Sequence, residues 1–365
     1  MAHIAVVGAG ITGITTAYSL LERGHRVTVF DRHRYPAMET SFANGGQLSA
    51  SNAEVWNHPS TLVKALGWLF KSDAPLLLNP LPSWHKLSWL AEFVGQVPNY
   101  RANTVATVRL ALEARRQLLA IAEREGIDFD LERRGILHIY RDQKSFARAD
   151  RVNALLRDGG LERFAVTPEE IKAIEPALAG EFHGGFYTPS DATGDIHKFT
   201  RQLAAVCERR GMRFIGDAAV EHVTAGRVGI RLAWRTSEQN DAGALAQQIA
   251  ADAVVICAGV ASRKLAAALG DRINIYPVKG YSITVELDDP ESRAGAPWVS
   301  LLDDERKIVS SRLGADRFRV AGTAEFNGFN RDIRDVRIDP LVAWTRQLFP
   351  SVRRSGSFPG RACVR

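Results

Sequence analysis

Gly8-Ala9-Gly10-Ile11-Thr12-Gly13 stands between an uninterrupted apolar run at residues 4–7 and a helically spaced run at 12–23 that stops at Gly24. An apolar run with nothing polar in it reads as a parallel strand buried on both faces. The glycine that follows the helical run reads as its C-cap. Residues 26–30 form a second buried strand, and Asp31 closes it. The unit is strand–turn–helix–strand, the opening of a parallel sheet. A lone G-x-G-x-x-G is weak, but in this setting each residue has a task. Gly8 permits the tight turn, Gly10 lets backbone approach a pyrophosphate, and Gly13 lets helix and strand pack closely. The helix start at Ile11 and Thr12 offers N–H groups and a positive dipole end to phosphates. Asp31, with Arg32 beside it, is placed to accept hydrogen bonds from ribose hydroxyls. A glycine-rich turn without a ligand is the plain alternative, and the full context argues against it.

Outward from this unit, the chain reads as an ordinary globular protein. It has 365 residues, 45% hydrophobic and 24% charged, which suggests about two domains. The formal net charge of +6 favours anionic partners, such as an acidic substrate or an anionic membrane surface. There is no dense basic run with interleaved aromatics, which argues against nucleic acid as a partner. Cys207, Cys257 and Cys363 are far apart and form no C-x-x-C, so neither a zinc site nor a disulfide framework is expected, and a reducing cytosol fits. No secretion signal and no spanning segment is read.

Helices are expected at 102–124, from 168 after the Thr167-Pro168-Glu169-Glu170 start, and at 195–210. Strands are expected at 136–140, 213–215, 219–223, 228–234, 253–257, 281–287, 307–311 and 318–321, with a hairpin tip at 239–247. The fold class is α/β: a Rossmann-like dinucleotide domain with a mixed-sheet substrate domain. The expected division is discontinuous. The dinucleotide domain takes 1–60, 140–220 and 250–280, the substrate domain 61–139 and 281–350, and residues 351–365 form a tail.

The nucleotide is either NAD or FAD on these grounds. Glu39-Thr40-Ser41-Phe42-Ala43-Asn44-Gly45-Gly46-Gln47-Leu48-Ser49 lies just beyond the second strand. Its hydroxyls, amide and paired glycines suit a second cradle for the longer FAD, and an unliganded polar loop is the equal alternative. At this point the sequence resembles the small, catalytic subunit of bacterial D-amino acid dehydrogenase. The resemblance rests on Gly8–Gly13 with Asp31-Arg32, on 39–49, on Asp191-Ala192-Thr193-Gly194-Asp195, on Pro277-Val278-Lys279-Gly280-Tyr281 and on residues 319–325. Glycine and sarcosine oxidases share the wider fold and are less similar. The resemblance implies FAD and oxidative deamination of D-amino acids to 2-oxo acids and ammonia. Electrons would pass to a membrane acceptor of quinone type, and the protein would be cytoplasmic or peripheral on the inner face of the cytoplasmic membrane. It places Gly8, Gly10 and Gly13 on the pyrophosphate and Asp31 on the adenosine ribose. It places Ser41, Asn44, Gly45, Gly46, Gln47 and Leu48 on the ribityl chain and flavin, and the Val220 backbone on adenine. Cys257, Ala258 and Gly259 would close over the cofactor. A glycine- or sarcosine-type oxidase and an inactive family member are the alternatives.

The substrate carboxylate calls for an arginine fork. The family's W-x-G-x-R-P segment, which would carry it, is not found here. Lys307, Arg312 and Arg319 are candidates for a supporting role, with Tyr281 in the cavity wall. Asp191, Asp195 and His197 are readable as metal ligands, but Asp195 as an N-cap is the simpler reading, and no metal is expected. Trp56, Trp68, Phe70, Trp84 and Trp89 read as cover for the substrate domain or as a membrane contact. After Gln347-Leu348-Phe349-Pro350 the resemblance stops. The ending Phe358-Pro359-Gly360-Arg361-Ala362-Cys363-Val364-Arg365 is what a family-like Val-Pro-Trp-Ala-Gly-Leu-Arg-Pro gives when a suitable coding sequence is read one base later. A reading-frame change is therefore expected, with a bare sheet edge, weak FAD retention and no turnover as its consequences.

Overall fold

The computed structural model describes residues 1–58, 74–227, 229–236 and 246–352, and the backbone of 361–364. Trp68, Phe70, most of the hairpin tip at 239–247 and most of the tail lie outside the described residues.

Strands are numbered in chain order. Four of them form a parallel sheet in the order β13 (Ala253–Ile256), β1 (His3–Val7), β2 (Arg26–Phe30), β9 (Arg213–Ile215). β1 runs between β13 and β2, with Ile4 opposite both Ala253 and Val27. Its alternation sends Val6 to one face and Ala5 and Val7 to the other. On the Val6 side lie helices α1 (Ile11–Glu22) and α6 (Ile196–Arg209), which contribute Ile14, Ala17 and Tyr18 and Phe199, Leu203 and Cys207. The opposite face is covered by an antiparallel sheet of β10 (Ala218–Ala225), β11 (Ile230–Thr236) and β12 (Gln247–Ala251), through Val223, Leu232 and Trp234. Both faces of β1 are thus dry from Ile4 to Val7, which is why that run carries no polar residue; His3 stands at its partly exposed start.

The second layer is a nine-stranded mixed sheet. Its path is β18 (Arg361–Val364), β14 (Lys279–Glu286), β17 (Arg317–Phe326), β16 (Ile308–Leu313), β15 (Ser300–Asp303), β5 (Ile136–Tyr140), β7 (Gly184–Thr188), β6 (Phe164–Val166), and β4 (Leu76–Leu78) joins β17. Its core holds Ile283, Val285, Leu301, Phe318, Val320 and the buried Trp344. Trp344 comes from α9 (Asp335–Leu348). Helices α2 (Trp84–Gly95), α3 (Tyr100–Glu125), α4 (Gln143–Asp158), α5 (Pro168–Ile174), α7 (Ser262–Ala268) and α8 (Pro290–Gly295) complete the chain. A two-stranded ladder of β3 (Gln47–Leu48) and β8 (Ala192–Thr193) joins the loop after β2 to the segment before α6.

Within residues 140–220, β6 and β7 pair in the mixed sheet, through β5 between β15 and β7, while β9 pairs in the parallel sheet. One expectation differs from the structure: the edge of β14 is not bare, because the backbone of Arg361–Val364 pairs with it from Ser282 to Lys279.

Candidate functional site

A cavity of about 1620 Å³ runs from the end of β1 to the mixed sheet. It exceeds the roughly 300–1,000 Å³ of ordinary small-molecule sites, so it has room for a long ligand and a second, smaller one.

At its first end the glycine turn is held from both sides. Gly8 has a left-handed φ of +106°, and a Cβ there would lie 2.3 Å from the Cys257 carbonyl oxygen. A Cβ on Gly13 would lie 1.8 Å from the Gly8 oxygen. Gly13 does not line the cavity; its task is the helix–strand approach. Gly10 differs, because the nearest atom to a Cβ there is Ser41 Oγ at 3.5 Å and the space beyond is cavity. α1 begins after Gly10, which has no side chain to cap it, and Ser41 Oγ instead accepts from the Ile11 N–H at 2.9 Å. Asp31 accepts from the Ala9 N–H at 2.7 Å and the His33 N–H at 2.8 Å, and still faces the cavity beside Arg32, Thr12 and Val220. Cys257, Ala258 and Gly259 form the facing wall. Burial raises the Cys257 thiol pKa, in keeping with a packing role.

Glu39 gathers cations at this end. Arg32 bonds it, His33 lies 2.7 Å away and Arg331 3.1 Å away. Burial pushes its carboxyl up, but these neighbours outweigh that and hold it below the usual range.

The 40–49 loop is fixed by its own bonds. Asn44 donates to the Thr40 and Ser41 carbonyls and accepts from Gly46 N–H at 2.8 Å. Ser311 Oγ donates to Gly45 O at 2.6 Å, Gly194 N–H to Gly46 O at 2.8 Å, and Gln47 Nε2 to Leu301 O at 3.0 Å. Asn44, Gly45, Gly46 and Gln47 line the cavity, whereas Leu48 packs into the dinucleotide core. Asp191 holds the next turn by accepting from the Ala50 and Ser51 amides at 3.0 and 3.1 Å, with Arg115 as its counter-charge. Asp195 caps α6, accepting from Lys198 N–H at 3.0 Å, and pairs with Arg317 at 2.9 Å. Among the described residues no group of His, Cys, Asp or Glu is arranged for a metal.

Beyond the loop the mixed sheet supplies a floor of small side chains: Gly280, Ser282, Val309, Ala321 and Gly322, with Tyr281 beside them. Such a floor admits a flat ring. The far end is polar. Tyr100 donates to Glu54 at 2.6 Å, and Asp304 joins Arg148 at 3.0 Å to Lys307 at 2.5 Å. Burial would raise the Asp304 carboxyl, but Lys307 and then Arg148 bring it down to about 2.

Of the four expected substrate residues, the structure brings Tyr281 and Lys307 to the cavity. Arg312 and Arg319 do not reach it. The Arg312 guanidinium lies 3.8 Å over Trp298 and donates to the Arg293, Ala296 and Ala315 carbonyls. Arg319 donates to Phe42 O at 3.1 Å and Thr284 Oγ1 at 3.2 Å, so it braces the 42–44 loop. Arg312 is spent on backbone carbonyls, and Arg319 on backbone carbonyls and the Thr284 hydroxyl. Glu54, Tyr100, Arg148, Asp304 and Arg331 were not singled out from sequence. Arg148 is one charge among many on α4, and nothing local marks it.

A family model described as FAD dependent oxidoreductase matches residues 3–365. The chain is 60% identical over 353 residues to D-amino acid dehydrogenase 3 of Mesorhizobium japonicum, covering 96% of this chain and 84% of that protein. It is 43% identical over 357 residues to D-amino acid dehydrogenase of Paramagnetospirillum magneticum, covering 95% and 81%. Among solved structures it is similar in fold to glycine oxidase from Geobacillus kaustophilus, with a TM-score of 0.74 at 20% identity over the whole of this chain and 83% of that one.

Proposed function

Since the chain belongs to the FAD dependent oxidoreductase family, we propose that its cavity takes FAD along its length and a D-amino acid at the far end, and that it oxidises the amino acid to the 2-oxo acid and ammonia. The observation that carries this reading is the continuity of the cavity, from the glycine turn to the small-residue floor of the mixed sheet. The residues present fit FAD: open space in front of Gly10, a carboxylate at Asp31, and a flat floor beyond Gly45 and Gly46. When bound, FAD supplies the hydride acceptor for the substrate Cα–H.

The chain's own residues bind and orient. Gly8 and Gly13 shape the turn, Gly10 leaves room for the pyrophosphate at the N-terminus of α1, and Asp31 takes the ribose. The Val220 backbone borders adenine, and the segment 257–259 covers it. Ser41, Asn44, Gly45, Gly46 and Gln47 set the path of the ribityl chain, with Leu48 anchoring their loop from behind. Tyr281 walls the space in which Cα–H must face the ring.

The direct test is anaerobic. The purified protein should be yellow, and D-amino acids should bleach it while L-amino acids do not. A colourless preparation, or one indifferent to every D-amino acid, sinks the reading. Hydrogen peroxide formed under air in step with substrate loss would move the assignment to a glycine- or sarcosine-type oxidase.

The electron acceptor in this reading is a membrane quinone, reached from the inner face. No helix among the described residues is long and apolar enough to cross a membrane. Support for surface contact comes from α2. Its inward stripe has His85 on Tyr276, Trp89 on Tyr276 and Phe326, and Phe93 stacked on Trp89. Its outward face carries exposed Trp84, Leu87 and Val94, with exposed Leu81 just before it. That apolar spacing suits shallow insertion into a lipid surface. Replacing Trp84 and Leu87 together by Glu should abolish co-flotation with vesicles of phosphatidylglycerol and phosphatidylethanolamine without changing flavin content. Undiminished flotation would rule this face out.

A further inference from the structure

We propose that Arg148 and Lys307 together receive the substrate's carboxylate, an assignment that rests on reading the cavity as an amino acid oxidising site. An amino acid brings a carboxylate into a partly enclosed space, and such a charge needs fixed cations. Arg312 and Arg319 are excluded, because their guanidiniums are bonded to backbone carbonyls outside the cavity. Among the described residues that line the cavity, Arg32, Lys264 and Arg331 belong to the dinucleotide end. At the far end Arg101 turns to the exposed Asp158, 3.7 Å away, and Arg151, exposed on α4, has no ion-pair partner among the described residues to fix it in place.

Arg148 and Lys307 remain as a joined pair. They approach Asp304 from opposite oxygens, Arg148 Nη2 on Oδ2 at 3.0 Å and Lys307 Nζ on Oδ1 at 2.5 Å. At Asp304 itself two cations meet one carboxylate; of the other acids lining this end, Glu54 accepts from Tyr100 and Glu305 is exposed. Arg148 and Lys307 come from unconnected elements, α4 and the turn before β16, and both face the cavity. Lys307 stands two residues before Val309, which lies in the floor against Gly45. A carboxylate seated on the pair is therefore next to the surface on which the flat ring would lie. Asp304 keeps both cations in place in the absence of substrate and acts as a positioning residue.

The test uses the full chain with its flavin. Arg148→Met and Lys307→Met are compared with wild type in two measurements: anaerobic bleaching against D-alanine concentration, and titration of the oxidised protein with pyruvate, followed by the flavin spectrum. Losing a hydrogen bond to a charged group should raise the half-saturating D-alanine concentration about tenfold or more in each variant. Pyruvate binding should weaken by a similar factor, with flavin content unchanged and the limiting bleaching rate altered by less than about threefold. If wild type is bleached while both variants bind D-alanine and pyruvate as wild type does, the assignment fails and the functional reading stands. If no D-amino acid bleaches wild type, the functional reading fails and the assignment falls with it.

Discussion

Gly10→Val should give a folded protein that has lost its flavin, whereas Gly13→Ala should give little folded protein at all. The two glycines sit three residues apart in one motif but face different constraints. A Cβ on Gly10 meets only Ser41 Oγ at 3.5 Å, an ordinary contact, and a valine there projects into the cavity. The fold has no reason to object, but a pyrophosphate does. A Cβ on Gly13 would sit 1.8 Å from the Gly8 carbonyl oxygen, with backbone on both sides of the clash. Relief requires α1 to move off β1, and the helix face that would lift carries Ile14, Ala17 and Tyr18. The cost should reach or pass the top of the roughly 1–3 kcal/mol of ordinary overpacking. Flavin absorbance per protein and the yield of soluble protein with cooperative unfolding separate the cases. Flavin retained in Gly10→Val, or normal stability in Gly13→Ala, would contradict the description of this turn.

The second large effect lies away from the cavity. Lys279 is fully buried, with its ammonium 2.9 Å from Glu325, 3.0 Å from Asn330 Oδ1 and 2.7 Å from the Asp332 carbonyl. Arg337, also fully buried, lies 3.7 Å from the other Glu325 oxygen. It donates to the Ala74 and Ala324 carbonyls at 2.6 and 3.1 Å. Lys279→Met removes the nearest of the cations around Glu325 and leaves the buried carboxylate with Arg337 and Arg334 at 3.7 and 3.8 Å, which should cost about 3 kcal/mol, the low end for breaking a buried pair. The double change with Glu325→Leu should cost more than the single one, because the fully buried Arg337 then loses Glu325 as its anion. Denaturant unfolding of wild type, single and double variants measures both. A single variant as stable as wild type would show that this pair carries no weight.

Legibility from sequence followed the physical range of each signal. The glycine turn, β1, α1 and β2 were readable because they lie within thirty residues and obey short periodicities. The capping box at Thr167–Glu170 and the Asp195 cap were readable for the same reason, and both are present. β7, β15, α4 and α9 were not anticipated. β7 begins with two glycines and β15 is four residues long, too short for a period to show. Residues of the site that answer to distant partners were legible least. Arg319 and Arg312 carry the residue type that binds carboxylates, and only tertiary structure shows both committed to backbone carbonyls. Arg148 and Asp304 are 156 residues apart, and nothing near either one announces the other.

The place of β1 in its sheet also bears on how the protein is made. One flank of β1 is β2, translated within moments. The other is β13, which pairs Ile4 with Ala253. At about 5–20 residues per second, β1 waits roughly 12–50 s at the ribosome for its second neighbour. Throughout that interval the carbonyl of Cys257, against which Gly8 is seated, has not been synthesised. The glycine turn therefore acquires its closed shape late, and cofactor capture belongs to the last stage of folding. Until then a parallel strand of high contact order presents one bare apolar edge, the state in which such chains misassemble. Flavin supply and chaperone capacity during synthesis, more than the stability of the finished fold, should then govern how much active protein a cell recovers.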